Sequence, residues 1–305
     1  MRFLLIAAVV FVATAACTSS GRNLPDGLAG IDPEFSEYWY QGKAEICSYR
    51  LTQARYGEYR KGEAVLVFVT EDLSVDKHVK TDNPEMPHES VLKLNFTKNF
   101  ITGIYPYSMM MSVFTPVDES KKTLRVSSSS QEWCGHTFTL LDWTKGKYKI
   151  VSHSYFPGEA DEEMSVDDVM MEDEIWTRIR IAPDKLPKGK LKIIPATFYS
   201  RLLHQELAPM DAIATLEKVQ ATRDLPDAWK YTIEYQGWER SISISFDREF
   251  PFLIRSWEEK YRSDFGENAM PMVTRGEMLN HSNLDYWKRN SNSDSAYRKE
   301  LLLTD

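Results

Sequence analysis

The sequence predicts a mainly β domain (α+β), an antiparallel meander forming a curved half-barrel or a sandwich, with a few short helices. Three observations lead there: apolar residues alternate with polar ones at a period of two, glycine-containing dipeptides fall between the alternating segments, and helix signals are sparse. Alternation places one set of side chains on each face of a strand, and short turns between neighbours make the pairing antiparallel.

Taken in order, Tyr56-Gly57 and Lys61-Gly62 punctuate the first strands, and Ala64–Val69 is apolar throughout, as expected of a central strand covered on both faces. Leu92, Leu94 and Phe96 alternate with Lys93, Asn95 and Thr97. Ser165-Val166-Asp167-Asp168 fits a capping-box helix start, continued by Val169, Met170, Trp176 and Ile179 and stopped by Pro183. A second helix is expected from Phe198 to Leu207, after the strand-like Leu191–Ile194 and before Pro209. Tyr231, Ile233 and Tyr235, then Ile242, Ile244 and Phe246, mark two more half-buried strands, with Gln236-Gly237 as a tight hairpin between them. The acidic stretch 158–168 either divides the domain into two lobes or is crossed by one continuous sheet. No internal repeat is visible, so solenoids and propellers are not expected.

The amino terminus reads as an address. Met1-Arg2 leads into eleven apolar residues, Phe3–Ala13. As a helix these reach roughly 16 Å, about half of a hydrocarbon core, too short to span it and suited to a signal peptide. Thr14-Ala15-Ala16-Cys17 resembles the lipobox of bacterial lipoproteins, although leucine is usual where this chain has Thr14. The resemblance implies a signal peptide of residues 1–16, cleavage before Cys17, lipid attachment at Cys17 and a membrane anchor through the acyl chains. An ordinary secretory cut after Ala15 is the alternative. Residues 17–31 are polar and turn-rich and read as a flexible tether, followed by a β-rich envelope domain over 32–305. Thr18, rather than an aspartate, points to the outer membrane, with the domain facing either the periplasm or the cell surface.

Cleavage leaves 289 residues and moves the formal charge from −8 to −9 by removing Arg2. An apolar fraction of 42% and an aromatic fraction of 12% are those of a folded chain with a substantial core. The acidic balance argues against nucleic acid as a partner and against lying flat on an anionic leaflet. Cys47 and Cys134 then remain. A bridge between them would close a loop of nearly ninety residues, worth about 4 kcal/mol, and two separate thiols are the equal alternative.

Few residues suggest chemistry. Glu132-Trp133-Cys134-Gly135-His136 holds a nucleophile, a base and a carboxylate, yet in a strand Cys134 and His136 stand roughly 6.5–7 Å apart on one face, too far for direct activation. Packed Trp133 and Cys134 with a bonded His136 is the preferred reading of that string. His78, His88, His153, His204 and His281 stand singly, and no metal site is expected because Cys-x-His supplies two ligands where zinc takes three or four. Met109-Met110-Met111 point alternately up and down a strand and cannot form one ligand set. There is no G-x-S-x-G, P-loop or G-x-G-x-x-G, and no cofactor is implied. Tyr38, Trp39, Tyr40, Tyr105, Tyr107, Phe250, Phe252, Trp257, Tyr286 and Trp287 line either a groove or the core and strand ends.

Gln53–Glu58, Val91–Tyr107 with its Gly103-Ile104-Tyr105-Pro106-Tyr107, Gln131–His136 and Phe250-Pro251-Phe252 resemble a group of bacterial envelope lipoproteins of unassigned activity. Some of that group carry the label "septum formation inhibitor Maf". Maf proteins proper are cytoplasmic α/β nucleotide pyrophosphatases with an N-terminal Ser/Arg phosphate motif. This chain has a lipoprotein leader instead, and neither the motif nor alternating β/α segments, so nucleotide hydrolysis is not expected. The expectation is non-catalytic binding of a partner protein, lipid or other envelope component. The alternative is a hydrolase or thiol-dependent enzyme using Cys134 and His136.

The anchor is testable directly. Labelled fatty acid should enter the wild-type chain and be lost completely from Cys17→Ser, while equal labelling of both chains would refute acylation at that residue.

Overall fold

The computed structural model describes residues 32–159, 161–220, 227–266 and 269–303. The expected signal peptide, Cys17 and the expected tether to residue 31 lie outside them. Alternation becomes strand wherever the sequence shows it clearly: Leu92, Leu94, Phe96, Ile242, Ile244, Phe246, Tyr231, Ile233 and Tyr235 are all buried, and the residues between them are half-buried or exposed on the other face. Each such side chain contributes roughly 1.5–3 kcal/mol by leaving water.

The first eight strands are β1 Ala44–Arg55, β2 Glu58–Ser74, β3 His88–Thr102, β4 Tyr105–Pro116, β5 Arg125–Glu132, β6 Gly135–Thr144, β7 Lys147–Ser154 and β8 Glu162–Asp167. The rest are β9 Met170–Met171, β10 Gly189–Ile194, β11 Met210–Val219, β12 Ala228–Tyr235, β13 Ser241–Asp247, β14 Ile254–Arg262 and β15 Pro271–Leu284. All fifteen belong to one sheet of order 8-7-6-5-4-3-2-1-15-14-13-12-11-10-9, antiparallel throughout except for β9 beside β10. The fold is therefore mainly β, one open sheet and not a two-sheet sandwich.

Four short helices accompany it: α1 Pro33–Trp39, α2 Ile175–Ile181, α3 Thr197–Leu203 and α4 Ala296–Glu300. Asp32 caps α1 by accepting from the Glu34 amide at 2.9 Å, and Pro33 occupies the first turn, where its missing N–H costs nothing. Phe35 and Trp39, four residues apart, give α1 its buried stripe.

Several local expectations are corrected. Residues 165–168 do not start a helix: Ser165 pairs with Lys149 in β8, and the helix begins only at Ile175. Strand pairing outweighs a capping signal that is worth about 1 kcal/mol. Lys61-Gly62 lies inside β2, where a Cβ on Gly62 would meet the Asn99 carbonyl at 2.3 Å, so the glycine answers to close backbone approach and not to a turn. In Ala64–Val69 one face is deeply buried while Val65 and Val67 are half-buried. Tyr56-Gly57 is the expected two-residue turn, both residues at positive φ as the type I′ hairpin requires. The Gln236-Gly237 hairpin takes five residues, β13 starting at Ser241. The acidic stretch contributes β8, an edge strand of the same sheet.

The sheet curls on itself. β3 and β14 are four strand spacings apart, about 19 Å if flat, yet Lys98 Nζ on β3 donates to Glu259 on β14 at 2.6 Å, and the Phe96 and Trp257 rings are 5.4 Å apart. The two edge strands, β8 and β9, are joined by residues 168 and 169 alone, which keeps those edges within about 11 Å at that corner.

The enclosed space is filled by the segment that follows β9. In α2, Ile175, Trp176, Thr177, Ile179 and Arg180 are all buried, the pattern of a helix surrounded on most sides. Trp176 meets Phe96 and Trp257 edge-on at 5.0 and 5.4 Å, and Phe198 of α3 meets Phe96 at 5.5 Å. Trp257 fits because its strand neighbour is Gly276, where a Cβ would stand 2.2 Å from the indole.

Charges inside this core are paired. Arg180 donates through both terminal nitrogens to the Glu45 carboxylate and through Nε to the Pro251 carbonyl at 2.8 Å, stacking meanwhile on Phe68 and Trp39. Burial pushes the Glu45 carboxyl up, but the adjacent guanidinium outweighs it and holds the group below its ordinary value. Removing one partner leaves a buried uncompensated charge. Arg180→Met should therefore cost about 3–5 kcal/mol in urea unfolding, and adding Glu45→Gln should restore a large part of it. A single mutant as stable as wild type would show that the pair is not holding α2 against β1.

Candidate functional site

At the corner joined by residues 168 and 169 the sheet edges stay together, but further along β8 a cleft of about 720 Å³ opens between β6–β8 and α3 with the chain after it. Strand alternation lines its sheet side with Thr137, Thr139, Ser152 and Ser154, and α3 presents Thr197, Ser200 and Arg201 opposite. Ser130 on β5 is buried beside them, paired with Thr137 across the β5–β6 ladder, and α3 packs on β4 and β5.

Arg201 is the unusual member. Its side chain is 7% exposed, and its Nη2 reaches Glu132 Oε1 at 3.4 Å while the guanidinium stacks on Phe156 at 4.3 Å. Nε and Nη1 have no hydrogen-bond partner, nor do the buried hydroxyls of Ser130 and Ser200. Burial lowers the Arg201 pKa, but an arginine remains cationic. The carboxylates at the cleft are compensated in part: Glu159 bonds His204 Nδ1, and Glu163 lies 2.9 Å from Lys149. His204 ends α3 in the left-handed conformation, φ +53°, which turns its ring between Phe156 and Phe265 at 5.2 and 5.7 Å.

The residues singled out in the sequence are distributed otherwise. Glu132-Trp133-Cys134-Gly135-His136 is not one continuous strand: Glu132 ends β5, Gly135 and His136 begin β6, and Trp133-Cys134 form the two-residue turn between them, with Trp133 69% exposed and Cys134 and His136 exposed. The expected packing of Trp133 and Cys134 is thus absent, because a two-residue hairpin projects its central side chains outward. Glu132 accepts from the Cys134 amide at 2.6 Å, and its carboxylate raises the thiol pKa, which disfavours thiolate. Among the described residues no hydrogen bond links Cys134 to an imidazole. Gly135 is required there, since a Cβ would meet the Tyr155 ring at 2.7 Å.

Cys47 is buried in β1 and donates to Glu45, whereas Cys134 sits at the exposed turn, so both are free and no bridge joins them. Met109 and Met111 are buried and Met110 is exposed, as alternation requires. His78 bonds Asp142 and His153 bonds Asp161, each at 3.0 Å, and no cluster of three or more His, Cys, Asp or Glu able to hold a metal occurs among the described residues. Of the aromatics, Phe250, Phe252, Tyr38 and Trp39 pack together around α1, Trp257 is core, and Tyr286 and Trp287 are surface. They are strand-end and core packing and do not line the cleft.

The cleft residues Ser130, Ser200 and Arg201 were not foreseen. The available signal was helical: in Phe198–Leu207, Arg201 falls three residues after Phe198 and one before Leu202, on the inward face.

The placement of α3 depends on Asp173, which accepts from the Thr197 amide at 3.0 Å at the start of that helix. Burial, with neighbouring Glu172 adding to it, raises Asp173 from its ordinary 3.8 to about 7. The folded chain thus keeps a proton that the unfolded chain releases, and stability on this account falls as pH rises from about 4 to 7. Asp173→Asn preserves the acceptor and should flatten that part of the pH dependence, measured as urea midpoints between pH 5 and pH 8. An unchanged slope would place the titration elsewhere.

Comparison of the chain with family models, curated proteins and solved structures finds no significant match.

Proposed function

We propose that this chain is a lipid-anchored envelope protein, held at the outer membrane through Cys17, that binds a small polar envelope component in the cleft between β6–β8 and α3 without transforming it. The observation that carries the reading is the cleft itself: about 720 Å³ of space lined by hydroxyls with a buried guanidinium in its wall. That volume lies within the range of small-molecule sites, roughly 300–1,000 Å³. A lipid tail finds less support, because Phe96, Trp176, Phe198 and Trp257 already fill the apolar inside of the curl. Catalysis by Cys134 draws no support from a thiol on an exposed turn with a raised pKa and no bonded base.

The test is retention of small molecules. The chain and a Ser152→Trp variant, whose indole would occupy the cleft, are each incubated with envelope extract and re-isolated, and the bound compounds are identified by mass spectrometry. A compound retained by the wild type and lost from a correctly folded variant is the expected result. Identical retained sets would rule the cleft out as the binding site.

A further inference from the structure

Resting on that reading of the cleft, the geometry points to its ligand chemistry: we propose that Arg201, with Ser200 and Ser130, forms a subsite for an oxyanion, the carboxylate or phosphate of a hydroxylated ligand. Buried polar groups in folded chains are nearly always hydrogen-bonded, and a buried cation with unmet N–H groups is among the costliest exceptions. Five such atoms belong to residues at or beside the cleft: Arg201 Nε and Nη1 with the hydroxyls of Ser200 and Thr197, which line it, and the hydroxyl of Ser130, whose cross-strand partner Thr137 lines it. Arg201 is more than nine-tenths buried, and it and Ser200 line the cleft.

The donors are of the kind an oxyanion needs. A guanidinium offers N–H groups in a planar fork matched to carboxylate and phosphate, and bonds between opposite charges are about twice as strong as neutral ones. Stacking on Phe156 fixes the plane of the fork, so little side-chain freedom remains to be lost on binding. Glu132 reaches Arg201 through Nη2 alone and spends its other oxygen on the Cys134 amide, which leaves the remaining nitrogens open. Thr137, Thr139, Ser152 and Ser154 then extend a hydroxyl-lined wall away from Arg201, suited to a ligand that itself carries hydroxyls. Glu162 and Glu163 lie on exposed positions of β8, and Glu159, the cleft carboxylate whose charge acts on Arg201, is bonded to His204.

Isothermal titration of the full-length chain in detergent tests this with four probes: glucuronate for a carboxylate, glycerol 3-phosphate for a phosphate, and glucose and glycerol as their uncharged counterparts. Saturable binding of either charged probe, with its counterpart at least about tenfold weaker, is expected, and the probe that binds identifies which oxyanion the subsite takes. Arg201→Gln should weaken that probe by about tenfold or more, Arg201→Lys should retain part of the affinity, and Ser200→Ala should lose a few fold. Should Arg201→Gln fail to fold, Ser200→Ala and Ser130→Ala carry the test, since each removes a single oxygen. Absence of binding by both charged probes, or equal affinity in wild type and variants, overturns the oxyanion subsite. If the uncharged probes bind as well as the charged ones, or if extract compounds are retained that lack any oxyanion, the subsite is overturned while the cleft stands as a binding site. Failure of both experiments removes the cleft reading as well.

Discussion

A sheet of fifteen strands that curls until its two edges are joined by two residues encloses more space than its own side chains can fill. Barrels of about eight strands fill themselves with inward side chains, whereas those of sixteen or more enclose a channel. This chain lies close to the larger class and resolves the difficulty by placing α2 and α3 inside the curl. The surrounding architecture follows from that. The helical segment is inserted between β9 and β11, so it enters where the edges meet, and its Trp176 and Phe198 complete an aromatic contact with Phe96 and Trp257 from opposite arms of the sheet. The cleft lies where α3 and the chain after it leave space beside β6–β8.

Filling a wide interior with a short chain segment also brings polar groups inside. Arg180 with Glu45, Lys98 with Glu259 and Arg240 with Glu172 are buried ion pairs, each linking elements far apart in sequence. Such pairs gain little net stability over apolar side chains of similar size, because desolvation offsets most of the attraction. What they provide is direction: a bidentate contact from Arg180 to the start of β1 accepts one orientation of α2, where apolar packing alone would tolerate several. Arg201 differs in position: like Arg240 it leaves Nε and Nη1 without a partner, but it alone of these arginines lines the cleft.

Much of the fold was legible in the sequence. Alternation at Leu92–Phe96, Tyr231–Tyr235 and Ile242–Phe246 named the inward residues correctly, because a period of two has one physical meaning in a half-buried strand. The signal failed where local chemistry competed with long-range pairing, as at Ser165–Asp168, a capping box by composition and an edge strand by structure. It failed again at Glu132–His136, where a string with the composition of a reactive site proved to be a hairpin turn whose exposed Trp133 and Cys134 serve the geometry of the chain reversal. The cleft was less legible still. Ser127–Ser130 is a run of four serines with no alternation of its own, and only pairing with β4 and β6 turns Ser128 and Ser130 inward.

By itself, then, the sequence determined the properties that depend on neighbours along the chain, namely strand periodicity, the Tyr56-Gly57 turn and the acidic balance, and it carries the stretch up to Cys17 on which the proposed envelope address rests. The tertiary structure alone decided how fifteen strands curl together, which charged side chains meet in the interior, and that Arg201 of α3 meets Glu132 of β5 in the wall of one cleft. The physical reason is sequence distance. Glu132 and Arg201 are brought together by a sheet that curls through strands from both halves of the chain, and no local pattern encodes a contact that arises only when the edges of that sheet approach each other.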